Sequence, residues 1–203
     1  MHYSLILIGA HDGSKTLESI REAAGAGQVL LVEPVPFLFE RLGEAVRGIP
    51  NVTLGNFCVA TEDGMVEFAA PSPSATRVVA GSDQLGSLNP EHAVRHFPQL
   101  AGEFEVLPVE ARSFASLLED YEVSSIETLI TDTEGYDCVL LPGFPFGRVK
   151  PRTLVFEFKH SDGVFRVGPR LAELLLLLDR EGYDVSVLDM ENMVARLRGA
   201  SLA

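Results

Sequence analysis

Two stretches near the start of the sequence carry residue types suited to binding a nucleoside. Gly9-Ala10-His11-Asp12-Gly13 follows the apolar run Tyr3–Ile8, and Glu33 follows a second apolar run at residues 28–32. Glycines permit a tight turn in which the backbone comes close to a ligand, and the start of a following helix presents free N–H groups. Glu33 lies 20 residues past Gly13, where nucleotide-binding α/β folds place an acid that accepts hydrogen bonds from ribose hydroxyls. The order and spacing therefore predict a nucleoside site.

The glycine pattern favours a nucleoside without phosphates over a dinucleotide. A pyrophosphate seat needs Gly-x-Gly-x-x-Gly, whereas this chain has Gly9 and Gly13 with Ala10 and Asp12 between them. S-adenosylmethionine has no phosphate, so the looser turn suits it better than NAD. An NAD-dependent oxidoreductase is the weaker enzyme alternative, because the sequence also lacks a Tyr-x-x-x-Lys pair.

A second set of polar residues lies at the ends of later apolar runs. Asp132 and Glu134 follow a predicted strand at 128–131, while Glu157 and His160 lie at the end of another at 153–158. A carboxylate or imidazole at such a strand end can take a proton from a hydroxyl, and oxygen ligands can also hold Mg²⁺. We expect function for Asp132 and Glu134. For Glu157 and His160 a solvated role is an equal alternative, and the pattern does not decide whether a metal is bound.

The elements that must position these residues alternate between strands and helices. Strands are predicted at 3–8, 28–32 and 52–60, with helices at about 15–24, capped by Ser14, and at 37–46. This order implies parallel pairing, because the intervening helix makes the crossover. Further helices are predicted at 114–121, 136–141 and 167–180, a weaker strand at 65–69, and a final antiparallel hairpin at 184–188 and 193–197.

The middle of the chain interrupts this pattern. Residues 71–90 collect Pro, Ser, Gly, Asp and Asn, and a loop of this length is usually a functional lid or disordered. Phe97 with His92 and His96 could line an acceptor pocket if this segment folds over the site. We therefore predict a single domain of residues 1–203 with a loop or lid insertion at about 65–105.

Composition narrows the class of partner. The chain has 203 residues, of which 46% are hydrophobic, and a formal net charge of −13. An acidic surface repels phosphate backbones and anionic lipid, so we expect a small-molecule substrate, no nucleic acid and no membrane. Two cysteines without metal or disulfide spacing, and an N-terminus unlike a signal peptide, favour a cytoplasmic protein. The apolar run at 174–178 is too short to span a bilayer.

Several stretches together resemble the FkbM-type methyltransferases. They are Leu7–Gly13, Leu31–Pro34, Asn51–Leu54 with Val59-Ala60 and Asp63-Gly64, Val109–Leu118, Leu129–Asp137 with Leu140–Gly143, and Pro151–Glu157. The most specific is Asp132-Thr133-Glu134-Gly135, which is similar to the family's Asp-x-Glu-Gly signature. The resemblance covers about residues 5 to 158.

The resemblance implies a Rossmann-like class I methyltransferase fold, an α/β fold with a mostly parallel seven-stranded sheet, one reversed strand and helices on both faces. It implies methyl transfer from S-adenosylmethionine, commonly to a hydroxyl of a sugar or secondary metabolite. By carry-over, the loop of Gly9, Ala10, His11 and Gly13 binds the methionine part of the cofactor and Glu33 holds its ribose. Asn56, or residues near Ala60 and Thr61, lie at the adenine, and Asp132 and Glu134 lie near the reacting methyl group.

The chain also departs from the family pattern. Leu7 stands where the family often has an acid, His11 where Asn is common, and Ile130 where Lys is common. The chain begins almost at the first predicted strand, so the pocket is expected to be open or completed by another subunit of a homo-oligomer. These departures motivate a non-catalytic alternative, a degenerate methyltransferase fold that serves as a binding or assembly subunit.

Overall fold

The apolar runs of the sequence form the strands of two sheets. The computed structural model describes residues 1–72, 74–79, 82–88, 97–162 and 166–199. The strands are β1 (His2–Ile8), β2 (Gln28–Val32), β3 (Val52–Gly55), β4 (Cys58–Val59), β5 (Gly64–Pro71), β6 (Phe104–Arg112), β7 (Ser125–Thr131), β8 (Thr153–Glu157), β9 (Tyr183–Val187) and β10 (Asn192–Leu197). Seven of them form the main sheet in the order β3-β2-β1-β7-β8-β10-β9, and the other three a small sheet in the order β4-β6-β5.

The main sheet is parallel except for one strand. β1 pairs in parallel with both β2 and β7. The pairs β2–β3 and β7–β8 are also parallel. β10 is antiparallel to both of its neighbours. The predicted mostly parallel seven-stranded sheet with one reversed strand is confirmed, as is the final antiparallel hairpin.

Within the described residues, five helices cover the two faces of the main sheet. They are α1 (Leu17–Ala26), α2 (Pro36–Ala45), α3 (Phe114–Asp120), α4 (Asp137–Leu140) and α5 (Pro169–Arg180). Leu7 of β1 shares a buried cluster with Ile20 of α1 and Leu42 of α2, whereas Ile6 shares another with Leu117 of α3 and Leu174 of α5. Successive residues of a strand point to opposite faces, so β1 is buried on both sides and reads as a continuous apolar run.

The structure corrects two of the predicted features and adds one strand. The strand expected at 52–60 divides at Asn56, since β3 belongs to the main sheet and β4 to the small one. Ser14 does not cap α1, which begins at Leu17; its backbone N–H and hydroxyl instead donate to Asp12 Oδ1. β6 was not predicted, because its Pro108 and charged residues obscure the alternation, but it pairs antiparallel with β5 over eight residue pairs.

The segment between β5 and β6 is only partly described. It contains short 3-10 turns at Ala75–Arg77, Ser82–Gln84 and Pro98–Leu100, while His92 and His96 lie outside the described residues. The insertion at about 65–105 and the single domain of residues 1–203 stay predictions. Among the helices of the described ranges, none is long and apolar enough to cross a membrane.

Candidate functional site

A cavity of about 460 Å³ opens at the carboxyl ends of β1, β2, β7 and β8. This volume lies within the range of small-molecule and cofactor pockets, and this edge of a parallel sheet is where α/β folds bind ligands. Nine of the eleven residues predicted for the site line it: Gly9, Ala10, His11, Gly13, Glu33, Asp132, Glu134, Glu157 and His160. The tertiary structure thus brings together residues that lie up to 151 positions apart.

The glycine loop after β1 has a backbone that only small or strained residues can adopt. Gly9 has φ +81° and Gly13 φ +74°, and His11 also takes a positive φ of 52°. A Cβ atom at Gly9 would lie 2.0 Å from the backbone oxygen of Asp132. The loop is held against β2 because the N–H groups of Gly9 and Ala10 both donate to Val32 O at 3.0 Å.

Glu33 is the buried acid of this half of the cavity, with only 4% of its surface exposed. Its Oε2 accepts a hydrogen bond from the backbone N–H of His11 at 2.8 Å, and its Oε1 accepts one from that of Val35 at 2.9 Å. Burial raises the pKa of Glu33 to about 7, although these two hydrogen bonds oppose the shift. Each carboxylate oxygen has a second lone pair, so the group can still accept hydrogen bonds from a ligand.

The two residues predicted to edge an adenine ring do not line the cavity. The Asn56 side chain donates to the backbone oxygens of Glu33 at 2.8 Å and Pro34 at 3.2 Å. Ala60 is 5% exposed and packs in the cluster that joins the small sheet to α2. The residues between Asn56 and Ala60, which are Phe57, Cys58 and Val59, line the cavity instead. The apolar character of 57–59 was visible in the sequence, but their exposure to a cavity was not.

Asp132 is the acid that projects into the other half of the cavity. It follows β7, its backbone N–H donates to Ile8 O at 3.0 Å, and its side chain is accessible from the cavity. The protein around this concave position, and then the nearby Glu134, Asp137 and Glu191, raise the pKa of Asp132 well above that of an ordinary aspartate. Lys15 acts in the opposite direction but does not prevent the rise.

Glu157 and His160 form a buried pair behind Asp132. They are 7% and 6% exposed, and Glu157 Oε1 lies 3.6 Å from His160 Nε2. The other oxygen, Oε2, accepts a hydrogen bond of 3.0 Å from the backbone N–H of Gly135. Burial, with the charges of Glu134, Asp137 and Asp132, raises the pKa of Glu157 to about 9. The solvated role that the sequence left open for this pair is therefore wrong, since both residues are buried at the cavity.

Asp137 organises the loop between β7 and α4, a role that the sequence did not reveal. It is fully buried, and its Oδ2 accepts hydrogen bonds from Thr133 N at 3.1 Å and Thr133 Oγ1 at 2.7 Å. Burial raises its pKa. The next two residues after Thr133 have positive φ angles, +51° at Glu134 and +87° at Gly135. These contacts fix the turn that carries Asp132 and Glu134 to the cavity.

A metal role for these acids is not supported by their arrangement. Across the residues that the structure describes, no group of three or more His, Cys, Asp or Glu side chains is placed to hold a metal ion. The use of Mg²⁺ stays a prediction.

The wall of the cavity that faces the glycine loop comes from β5 and from the segment between β5 and β6, in which the sequence predicted a lid. It includes Phe68 of β5, Phe97, which the sequence suggested for an acceptor pocket, and a stretch of five residues, 82–86, which the sequence did not single out and which we call the 82–86 turn. Asp83 Oδ2 lies 3.7 Å from His11 Nε2, and Lys15 Nζ donates to Gln84 Oε1. Residues remote in sequence thus close the side of the cavity that faces the glycine loop.

Comparisons with known proteins agree with this architecture. The sequence matches the family model of the methyltransferase FkbM domain over residues 8–185, which confirms the resemblance found in the motifs. Among solved structures, the fibrillarin pre-rRNA processing protein of Methanococcus jannaschii is similar with a TM-score of 0.50 and 11% identity, covering 98% of this chain and 67% of that one. A precorrin-6y C5,15-methyltransferase from Geobacter metallireducens is similar with a TM-score of 0.48 and 13% identity. This match covers 96% of this chain and 80% of that one. No curated protein matches the sequence significantly.

Proposed function

Because the chain belongs to the methyltransferase FkbM domain family, we propose that it transfers a methyl group from S-adenosylmethionine to a hydroxyl of a small molecule, such as a sugar or secondary metabolite. One observation carries this proposal: the glycine loop, buried Glu33 and cavity-facing Asp132 all line a single cavity. A nucleoside-binding half and an acid–base half therefore adjoin, as transfer between a nucleoside cofactor and a hydroxyl requires.

The residues of the first half fit the proposed cofactor. Glu33 can accept hydrogen bonds from two ribose hydroxyls, and the positive-φ glycine loop allows close approach of a ligand to the backbone. Phe57 and Val59 offer an apolar wall for a base. When bound, the cofactor would supply an activated methyl group on a sulfonium, which is transferred in line to the acceptor oxygen.

The second half is suited to accepting a proton from the acceptor hydroxyl. A general base works best when its pKa lies near the working pH, and the surroundings of Asp132 move its pKa in that direction. Glu157 and His160 lie behind it as a buried pair that shapes the cavity end. Alignment of the two reactants supplies much of the remaining rate enhancement.

The acceptor in this proposal is a small molecule rather than a nucleic acid or a membrane lipid. A net charge of −13 disfavours binding to phosphate-rich partners. We also propose a cytoplasmic location, with which the free, buried Cys58 and Cys138 are compatible. For the quaternary structure, we propose a homo-oligomer.

The first test is a calorimetric titration with S-adenosylmethionine and S-adenosylhomocysteine, beside Glu33→Ala and with NAD as the control ligand. Binding of the sulfur nucleosides that the variant loses, while its circular dichroism spectrum stays unchanged, supports the cofactor and its ribose contact. Failure of the wild-type protein to bind either sulfur nucleoside overturns the proposal.

The second test follows a radiolabelled methyl group from the cofactor onto a panel of hydroxylated acceptors, with and without Mg²⁺. Transfer that Asp132→Asn abolishes supports the proposed base. Cofactor binding without transfer to any acceptor would favour the non-catalytic alternative instead.

A further inference from the structure

The 82–86 turn carries polar groups that the proposed roles of the glycine loop, Glu33 and Asp132 do not use. Ser82, Asp83 and Gln84 line the cavity directly opposite His11 and Lys15. A wall whose only task was to exclude water would be expected to be apolar. Its composition therefore indicates contact with a polar part of a ligand.

Where the 82–86 turn approaches the glycine loop, two polar atoms lack hydrogen-bond partners among the described residues. They are Ser82 Oγ and His11 Nε2, both of which are buried. Ser82 is only 1% exposed. A buried polar atom without a partner destabilises the folded protein, so such atoms at a cavity wall are explained if a ligand pairs with them.

Opposite charges flank these two atoms. The Asp83 side chain is 17% exposed and lies 3.7 Å from His11 Nε2. Lys15 donates to Gln84 Oε1, and this partner is neutral, so the contact does not cancel the lysine charge. A carboxylate and an ammonium group thus both line the cavity where the 82–86 turn meets the glycine loop and Lys15.

The position of the turn is fixed by contacts on both sides of the site. Ser87, which follows it, forms a two-way backbone bridge with Ala69 of β5, at 3.1 and 3.0 Å. Its hydroxyl donates to the backbone oxygen of Glu134 at 3.2 Å. The turn is therefore held in register with the loop that carries Asp132.

We propose that Ser82, Asp83 and Lys15 form a subsite for a zwitterionic α-amino acid group, the amino-acid end of the sulfur nucleoside. Asp83 forms an ion pair with the ammonium group of the ligand. Lys15 forms one with its carboxylate, to which Ser82 Oγ also donates a hydrogen bond. This inference rests on the proposed function, and it extends cofactor recognition from the glycine loop to a segment about 70 residues away in the sequence.

The subsite is tested with two ligands that differ only at this end. S-adenosylhomocysteine has the amino-acid group, whereas 5′-methylthioadenosine has the same nucleoside and thioether without it. Both are titrated calorimetrically into the wild-type protein and into Asp83→Asn, Lys15→Met and Ser82→Ala. Glu62→Gln, a change at an exposed acid away from the cavity, is the matched control, and Glu33→Ala marks the nucleoside half.

Loss of one charge-assisted contact should weaken binding by about tenfold to a hundredfold. We expect Asp83→Asn and Lys15→Met to lower the affinity for S-adenosylhomocysteine by this factor and to leave that for 5′-methylthioadenosine unchanged, with a smaller loss for Ser82→Ala. Glu33→Ala should weaken the binding of both ligands.

The possible failures are distinguishable. Unchanged affinity of Asp83→Asn and Lys15→Met for S-adenosylhomocysteine would overturn the subsite and leave the proposed function intact. An equal loss for both ligands would show that the turn only shapes the cavity and would likewise overturn it. If the wild-type protein binds neither ligand, the proposed function itself fails, and the subsite with it.

Discussion

The carboxylate of Glu33 accepts a hydrogen bond of 2.8 Å from the backbone N–H of His11. Glu33 follows β2 and His11 lies in the loop after β1, so this contact joins the two stretches from which the sequence predicted a nucleoside site. The same carboxylate also accepts from Val35 N at 2.9 Å. Glu33 is thus a structural tie as well as a candidate ligand-binding group.

The double role of Glu33 predicts two effects of removing its carboxylate. Glu33→Ala leaves the N–H groups of His11 and Val35 without their acceptor, which should lower the free energy of unfolding by about 1–3 kcal/mol for each group that stays buried. It should also abolish binding of S-adenosylhomocysteine. Urea denaturation and calorimetry measure the two effects separately. A variant as stable as the wild type would show that water replaces both hydrogen bonds.

Gly9 lies so close to Asp132 that we expect no side chain to fit at position 9. Gly9→Ala places a Cβ atom 2.0 Å from Asp132 O and requires φ +81° from alanine. We expect the free energy of unfolding to fall by about 2–4 kcal/mol.

Gly25→Ala is the matched control for this change. Gly25 lies inside α1, where a Cβ atom meets nothing within 4 Å. Alanine is the better helix former, so in this last turn of α1 it should raise the free energy of unfolding by up to about 1 kcal/mol. Opposite signs for the two variants in urea denaturation would support the steric argument, and a stable Gly9→Ala would contradict it.

The raised pKa of Asp132 predicts a characteristic pH dependence of methyl transfer. The carboxylate accepts a proton only when it is ionised, so kcat should rise with pH through a limb whose midpoint lies well above the pKa of an ordinary aspartate. Asp132→Asn should lower kcat by about 10²- to 10⁴-fold and remove this limb. Glu119→Gln, at an exposed position of α3, should keep the wild-type profile. A limb that persists in Asp132→Asn would assign the proton to another group.

Burial of Glu157 predicts that the protein loses stability as the pH rises. Its pKa is about 9 in the folded protein against an ordinary value of 4.5, so between these values the folded state holds a proton that the unfolded chain has released. The contribution of Glu157 to stability therefore falls as the pH rises from about 4.5 to 9 and is constant outside that window. Glu33, with a pKa of about 7, adds to the fall in the lower part of the window.

Glu157→Gln tests this argument because an amide does not titrate. The midpoint of thermal unfolding, measured from pH 5 to 9, should fall less steeply in the variant than in the wild type, and most clearly above pH 7. Glu119→Gln should follow the wild-type curve. Equal slopes for Glu157→Gln and the wild type would mean that Glu157 is ionised in the folded protein throughout this range.

Much of the main sheet was predictable because its signals are local. Leu5 to Ile8 and Val29 to Val32 are continuous apolar runs, and strands buried on both faces require such runs. The helices between them fixed the parallel direction. The small sheet was not predictable in the same way, because the partly exposed β6 carries Pro108 and several charges, and its pairing with β4 and β5 identifies it as a strand.

The sequence by itself indicated the family and the parallel sheet, and it predicted the glycine loop, Glu33, Asp132 and Glu134 at the site, since these signals are residue types at short distances along the chain. The tertiary structure decided three further points: that Asn56 and Ala60 lie off the cavity, that Glu157 and His160 are a buried pair, and that Asp83 faces His11. The physical reason is that desolvation and side-chain pairing depend on which segments pack against each other. Ser82–Gln84 contacts the glycine loop through folding alone, so no periodicity or spacing in the chain records it.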